Sequence, residues 1–120
     1  MWNQRIGNDG ERIAATYLEG NGVNILERNY RTDAGEIDLI GLDHDTIIFF
    51  EVKTRTSTSY GVPELAITPR KLKRMMDCAE QYLQANPSTL DLRIDVIAIL
   101  INMNTDTYSI EWIKNVTDGN

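Results

Sequence analysis

Two short segments with charged residues at every second position constrain the fold of this chain most strongly. They are residues 35–40 (GEIDLI) and 49–55 (FFEVKTR). A β-strand sends alternate side chains to opposite faces, so each segment predicts a strand with one charged face. Residues 43–45 (DHD) lie between them and favour a turn. The sequence therefore predicts a β-hairpin.

The predicted register of this hairpin brings charges of the same sign together. With residues 44–45 at the centre of the turn, Asp38 stands opposite Glu51 and Glu36 stands opposite Lys53. Directly opposed like charges destabilise a sheet. A divalent cation between the acids, with the Lys53 ammonium beside it, would remove the conflict. The alternative is a surface ladder of salt bridges on an amphipathic hairpin.

The other segments predict an α/β domain with the order α-β-β-β-α-β-β. Its elements cover residues 3–19 (helix), 23–30, 36–42 and 46–55 (strands), 68–86 (helix), 92–103 and 107–114 (strands). A helix between the third and fourth strands indicates a crossover between parallel neighbours. The first three strands form an antiparallel meander, so we expect one mixed sheet flanked by helices. Residues 116–120 should fray, and residues 56–61 form a polar loop.

The second helix carries a regular apolar face. It opens with Thr68 as N-cap and Pro69 as first helical residue. Helical spacing predicts that one face is buried, formed by Leu72, Met75, Met76, Ala79, Tyr82 and Leu83.

Size and composition favour a single cytoplasmic domain. The 120 residues fit one domain, 42% are hydrophobic and 25% are charged. The single cysteine, Cys78, excludes an internal disulfide, and no apolar run is long enough to cross a membrane. The net charge of −6 argues against a general nucleic-acid coat protein, so any DNA binding should be weak and salt-sensitive.

The spacing Asp38…Glu51-Val52-Lys53 resembles the PD-(D/E)xK nuclease superfamily, although Ile37 stands where its named proline would. The wider pattern is similar to the YraN-like family of predicted endonucleases, which is related to Holliday junction resolvases. The motifs that carry this resemblance are Gly10-Glu11 with Ala14, Asn29-Tyr30-Arg31, residues 35–40, residues 51–55 and Lys71.

The resemblance implies a restriction-endonuclease-like fold and a metal-dependent endonuclease acting on DNA, on branched or single-stranded structures. Asp38 and Glu51 would bind Mg²⁺ or Mn²⁺, and the Val52 carbonyl would supply a further ligand. Lys53 would orient the attacking water or stabilise the charge that develops on the phosphate.

Two further acids allow two interpretations each. Glu11 shares a helical stripe with Ala14 and Leu18, and the resemblance suggests that it completes the metal site. Alternatively it is a solvated rim residue. Glu36 either positions the Lys53 amine or forms a plain cross-strand ion pair.

Basic residues supply candidate phosphate contacts. They are Lys71, Arg55, Arg70 and Arg31, and Lys71 lies near a helix N-terminus, which favours anions. For each of these residues except Lys71, the alternative to a phosphate contact is an ordinary charged side chain on the solvated surface.

Three functions remain open on the sequence. The first is the endonuclease, which would act on junctions as a homodimer because one chain supplies one site. The second is a non-catalytic nucleic-acid-binding module that keeps the nuclease fold and is recruited by DNA-repair or recombination proteins. The third is a protein-interaction domain without nucleic acid.

Overall fold

The computed structural model describes residues 2–57 and 67–118, and the side chains of residues 9–56 and 67–117. Its elements are α1 (Trp2–Gly20), β1 (Asn24–Thr32), β2 (Gly35–Asp43), β3 (Thr46–Ser57), α2 (Pro69–Ala85), β4 (Asp91–Asn102), β5 (Thr107–Ile113) and a 3₁₀ helix (Val116–Asp118). The predicted order of helices and strands is confirmed. The expected polar loop begins later than predicted, since Ser57 still belongs to β3, and residues 58–61 lie outside the described residues.

The five strands form one mixed sheet in the order β1-β2-β3-β4-β5. The first three strands are antiparallel, β3 and β4 are parallel, and β5 returns antiparallel to β4. The predicted meander and the parallel crossover through α2 are therefore confirmed. β1 and β5 are the edge strands of this sheet.

The sheet has a hydrophobic core on each face. The α1-side core joins α1 to the sheet and includes Leu18, Leu39, Phe50 and Ile97. The α2-side core joins α2 to the sheet and includes Ile37, Phe49, Met75, Tyr82 and Ile94. Burial of these apolar side chains, worth roughly 25 cal/mol per Å², is the main force that fixes both helices against the sheet.

Helix α2 begins as predicted. The Thr68 hydroxyl accepts a hydrogen bond from the Lys71 backbone N–H at 3.1 Å, and Pro69 occupies the first turn. Thr68 therefore satisfies one of the donors that a helix N-terminus leaves without a partner. The predicted buried face is wrong at Met76, which is 50% exposed because it lies beside the face that packs on the sheet.

The C-terminal segment also differs from expectation. Residues Val116–Asp118 form a 3₁₀ turn rather than the beginning of a frayed tail. Val116 is half-buried and packs against the α2-side core, which holds this turn on the sheet. No helix among the described residues is long and apolar enough to cross a membrane.

Candidate functional site

Strands β2 and β3 separate at Asp38, and this fork forms the centre of the candidate site. The hairpin register runs from Asp43–Thr46 to Leu39–Phe50, as predicted. The next predicted pair, Asp38 opposite Glu51, does not belong to the ladder. Instead the Val52 N–H donates to Asp38 Oδ2 at 2.8 Å, so a carboxylate replaces a backbone acceptor where the strands part.

Side-chain alternation along β2 reverses at the fork. Ile37 is buried in the α2-side core, whereas Leu39 is buried in the α1-side core. In a regular strand residues two apart point to the same face. The direction of the side chains along β2 therefore reverses at Asp38. Residues from both faces of the sheet can approach the Asp38 carboxylate.

Glu51 meets Asp38 from the α2 side. Only 14% of its side chain is exposed, and Lys71 Nζ from the first turn of α2 lies 3.5 Å from its Oε1. Burial first and then the charge of Asp38 raise the pKa of Glu51, Lys71 opposes the shift, and the resulting pKa is about 7. Burial is the larger cause, and the neighbouring charge of Asp38 adds to it, so ionisation of Glu51 is disfavoured in the metal-free protein.

Glu11 meets Asp38 from the α1 side. Burial raises the pKa of Glu11, and the nearby carboxylates of Asp38 and Glu36 raise it further, whereas the Asn29 side chain lowers it. The half-buried helix acid thus faces the fork rather than solvent alone.

A glycine brings α1 close to the sheet beside this acid. A Cβ added to Gly10 would lie 2.6 Å from Thr54 Oγ1 and 3.8 Å from Val52 Cγ1. A separation of 2.6 Å is shorter than van der Waals contact allows. The absence of a side chain at position 10 therefore permits the approach that carries Glu11 to Asp38.

Lys53 and the Val52 carbonyl are placed by strand geometry. Alternation puts the half-buried Lys53 on the same side of β3 as Glu51. The N–H and C=O of one strand residue point to the same neighbouring strand. Since the Val52 N–H points to Asp38, its carbonyl also faces the fork.

Glu36 forms an ion pair with Arg31 of the neighbouring strand. We predicted it opposite Lys53, but Arg31 Nε of the adjacent strand β1 lies 3.3 Å from Glu36 Oε2. The pairing of Arg31 with Glu36 in the β1–β2 ladder explains this contact. Arg31, a predicted phosphate contact, thus already has an acidic partner.

The other predicted phosphate contacts lie at different positions around the site. Arg55 is exposed and its Nη1 donates to the Thr54 carbonyl at 2.9 Å. Arg70 is exposed on α2 and forms no ion pair with a described residue. Lys71 lies inside the site through its contact with Glu51. The structure thus brings Asp38, Glu51, Glu11 and Lys71 together and leaves Arg55 and Arg70 at the periphery.

The donor set fits a hard divalent cation and no soft metal. It consists of carboxylate and carbonyl oxygens, with no thiolate or imidazole beside the fork. Among the residues the structure describes, no group of three or more acidic, histidine or cysteine side chains is placed to hold a metal ion. Mg²⁺ commonly binds through one or two carboxylates and keeps several waters, so an open site of this kind suits it.

Sequence reasoning assigned no role to Asn29, although the structure puts it in the site. Asn29 has a positive φ of 52° within β1, and its side chain lowers the pKa of Glu11. The sequence did contain a sign of this irregular backbone, namely an asparagine inside a predicted strand. Asparagine is depleted in strands and enriched in the left-handed region.

Comparison with known proteins supports the resemblance to the YraN-like family. A family model described as "Uncharacterised protein family UPF0102" matches residues 10–99. A "UPF0102 protein" of Clostridium botulinum (strain Loch Maree / Type A3) is 44% identical over 115 residues, 94% of each chain. One from Syntrophus aciditrophicus is 45% identical over 114 residues, 94% of this chain and 88% of the relative. One from Geotalea daltonii is 44% identical over 117 residues, 97% of this chain and 91% of the relative.

The matched segment contains every residue of the fork, from Glu11 through Asp38 and Glu51 to Lys71, and the relatives align over nearly the whole chain. The chain belongs to the UPF0102 family.

Proposed function

We propose that this protein is a Mg²⁺- or Mn²⁺-dependent endonuclease that hydrolyses phosphodiester bonds in DNA. The observation that carries the proposal is the fork at Asp38, where this carboxylate stands beside the buried Glu51 with Lys53 two residues further along β3. A salt-bridge ladder on a surface hairpin does not account for a carboxylate nearly removed from solvent beside a second carboxylate.

The residues of the fork have separate roles in this proposal. Asp38, Glu51 and the Val52 carbonyl would hold the ion, with Glu11 as a further acid. A bound Mg²⁺ or Mn²⁺ supplies Lewis-acid activation of the phosphate and a water of lowered pKa. The hydrogen bond from Val52 holds the Asp38 carboxylate in one orientation before any ligand arrives.

Lys53 would act on the reacting phosphate. Its ammonium lies on the same side of β3 as Glu51, where it can orient the attacking water and stabilise negative charge on the phosphate. The water oxygen forms a new bond to phosphorus as the bond to the sugar oxygen breaks, and that oxygen leaves as a hydroxyl after gaining a proton. The products are a phosphomonoester end and a hydroxyl end.

DNA would approach along α2. Lys71 lies in the first turn of this helix beside Glu51, and Arg70 lies in the same turn at the periphery of the site, where both the helix dipole and the side chains favour phosphate. The net charge of −6 predicts weak, salt-sensitive binding. Branched or single-stranded DNA as substrate and a homodimer on junctions belong to the same proposal.

The decisive experiment is cleavage of labelled linear, single-stranded, flap and four-way-junction DNA in Mg²⁺ and in Mn²⁺. Asp38→Asn is the informative variant because the amide oxygen can still accept from Val52 while the charge is lost. Asp45→Asn, at the exposed hairpin turn, is the matched control. Cutting by the wild type and Asp45→Asn but not by Asp38→Asn supports the proposal.

A wild-type protein that cuts none of these substrates contradicts catalysis by the isolated chain. If that protein still binds DNA, the non-catalytic binding module accounts better for the fold. If it binds neither metal nor DNA, a protein-interaction domain does.

A further inference from the structure

The outer edge of β5 is open and regular. Strand β5 ends the sheet, and within the described part of the chain no strand pairs with its outer side. It pairs with β4 along its whole length without a bulge, from Thr107 opposite Asn102 to Ile113 opposite Val96. Its outer side therefore presents an even row of backbone donors and acceptors, to which a strand from another molecule can bind.

The opposite edge of the sheet is protected in a way that β5 is not. Strand β1 contains a bulge that ends at Glu27, a left-handed residue at Asn29 and exposed charges such as Arg28. Bulges and charged side chains are the devices that keep edge strands from pairing with other molecules. Strand β5 carries one charged side chain, Glu111. The sheet thus has one blocked edge and one edge that remains able to pair.

The sequence of β5 is complementary to itself when two copies lie antiparallel. With Ile110 of each copy at the two-fold axis, the opposed residues are Ser109 with Glu111, Tyr108 with Trp112, Thr107 with Ile113 and, beyond the strand ends, Asp106 with Lys114. These are a hydroxyl with a carboxylate, two aromatic rings, two β-branched side chains and two opposite charges, all of which stabilise antiparallel strands. An axis at Glu111 would instead bring two carboxylates face to face.

We infer that two copies of this chain associate through β5, antiparallel about Ile110, and join their five-stranded sheets into one. A second copy fits this edge because the same segment supplies both members of every pair, as a two-fold interface requires. The pairing would also cover Tyr108, which is 47% exposed in the single chain. One strand pair is a small interface, so the dimer should dissociate on dilution.

The dimer would hold two forks at a fixed separation. An axis perpendicular to the sheet keeps both α2 sides on the same surface of the joined sheet, and Glu51 lies level with Val96 and Ile113, three residues along β5 from Ile110. Strand spacing, rise per residue and sheet twist place the two Glu51 residues roughly 25–30 Å apart. This consequence rests on the proposed function: two metal sites on one surface suit a substrate with two bonds to cut, such as branched DNA.

The test is sedimentation equilibrium of the full chain over a wide range of concentrations, in the presence of a chelator. The wild type should be in equilibrium between monomer and dimer. Ser109→Glu adds a carboxylate opposite Glu111 of the second copy, twice in each dimer, and should raise the dissociation constant roughly tenfold. Both positions are exposed, so the fold should be retained, which urea unfolding checks.

A charge exchange tests the register. Combining Ser109→Glu with Glu111→Lys places opposite charges against each other across the axis and should restore dimerisation. Gln84→Glu is the matched control, because it changes the net charge of the chain by the same amount on the exposed surface of α2. It should dimerise as the wild type does.

Three results would overturn the inference. A wild type that remains monomeric throughout the micromolar range would exclude the dimer and leave cleavage of single-stranded DNA unaffected. A dimer that Ser109→Glu does not weaken would form through another surface, such as the groove beside Met76, Leu83 and Leu92. A loss that the charge exchange does not restore would contradict the register. The expected variant pattern without DNA cleavage would support the pairing and contradict only the catalytic proposal.

Discussion

Lys71 Nζ lies 3.5 Å from Glu51 Oε1 and joins the first turn of α2 to the fork of the sheet. The ammonium thus favours the ionised form of Glu51 in the metal-free protein. A divalent cation bound to the same oxygens would be repelled by this charge. Lys71 therefore opposes metal binding at the site where it favours phosphate binding.

Replacement of Lys71 by methionine should change metal and DNA affinity in opposite directions. At pH 8.5, where Glu51 is ionised, removal of a charge pair of about 0.5–1 kcal/mol should tighten Mn²⁺ binding by roughly two- to fivefold. DNA binding should weaken. The slope of log K against log salt concentration should decrease by the amount expected for the loss of about one phosphate contact. Both quantities can be measured by titration across several salt concentrations.

Lys73→Met is the control for this prediction. Lys73 also lies early in α2 but pairs with Asp77 at 2.8 Å, so its loss should leave Mn²⁺ binding unchanged. Weaker Mn²⁺ binding in Lys71→Met at pH 8.5 would show that the ammonium supports the metal site rather than competes with it.

Glu51 should make the metal-free protein less stable as the pH rises. Its folded pKa is about 7, whereas an unfolded chain returns it to its ordinary 4.5, so the folded state binds more protons between these values. The stabilising contribution of protonated Glu51 is fully present below about pH 4.5 and is lost as the pH rises through 7. Glu51→Gln should therefore stabilise the protein at pH 8 by about 1–2 kcal/mol, allowing for solvent screening, and change little at pH 5.

Urea unfolding in the presence of a chelator, at both pH values, measures this difference. Glu80→Gln, an exposed position on α2, serves as the control and should not alter the pH profile. Added Mg²⁺ should stabilise the wild type and not Glu51→Gln. A variant less stable than the wild type at pH 8 would mean that the ion pair with Lys71 outweighs the repulsion by Asp38.

The strands and their pairing could be predicted because they follow from local patterns. The turn at residues 43–45 fixed the hairpin register, and the apolar β4 required a buried central position. Pairing Glu36 with Arg31 could not be deduced, since the register of β1 depends on a bulge between Ile25 and Glu27 that no local signal indicated.

The fork at Asp38 could not be predicted for a different reason. Strict alternation assigns Ile37 and Leu39 to one face, and only the packing of two separate cores shows that the strand turns over between them. The Lys71–Glu51 contact likewise depends on how α2 lies across the sheet. Sequence reasoning thus identified the chemical groups of the site, but their exact partners depend on tertiary packing.

Asp95 should be the most sensitive charged residue for stability outside the candidate site. It is fully buried and accepts hydrogen bonds from Arg93 at 2.9 and 3.0 Å, from Trp112 Nε1 at 2.8 Å and from the Asn115 N–H at 2.8 Å. The carboxylate ties β4 to β5 and to the turn that follows.

Asp95→Ala should lower the free energy of unfolding by about 3–5 kcal/mol, because it leaves a half-buried guanidinium and two other donors without their acceptor. Urea unfolding measures the loss, with Asp91→Ala at the exposed start of the same strand as control. A loss below about 1 kcal/mol would show that water replaces the carboxylate and that the cluster is more accessible than its burial indicates.

Gly10 should matter because it sets the distance between α1 and β3. A Cβ at this position would stand 2.6 Å from Thr54 Oγ1, and the branched threonine side chain has little freedom to move away. Gly10→Ala should therefore cost about 1–2 kcal/mol of stability, after the better helix propensity of alanine is included, and should weaken Mn²⁺ binding by moving Glu11.

Thr54→Ala in the same chain should restore both properties, because it removes the atom that the new Cβ meets. Four chains suffice for the test: the wild type, each single variant and the double variant, each measured by urea unfolding and Mn²⁺ titration. The double variant should be more stable than Gly10→Ala alone, which is the coupling expected of two residues in contact. Losses that simply add would mean that the helix already has room at position 10, and that the placement of Glu11 depends on contacts other than this close approach.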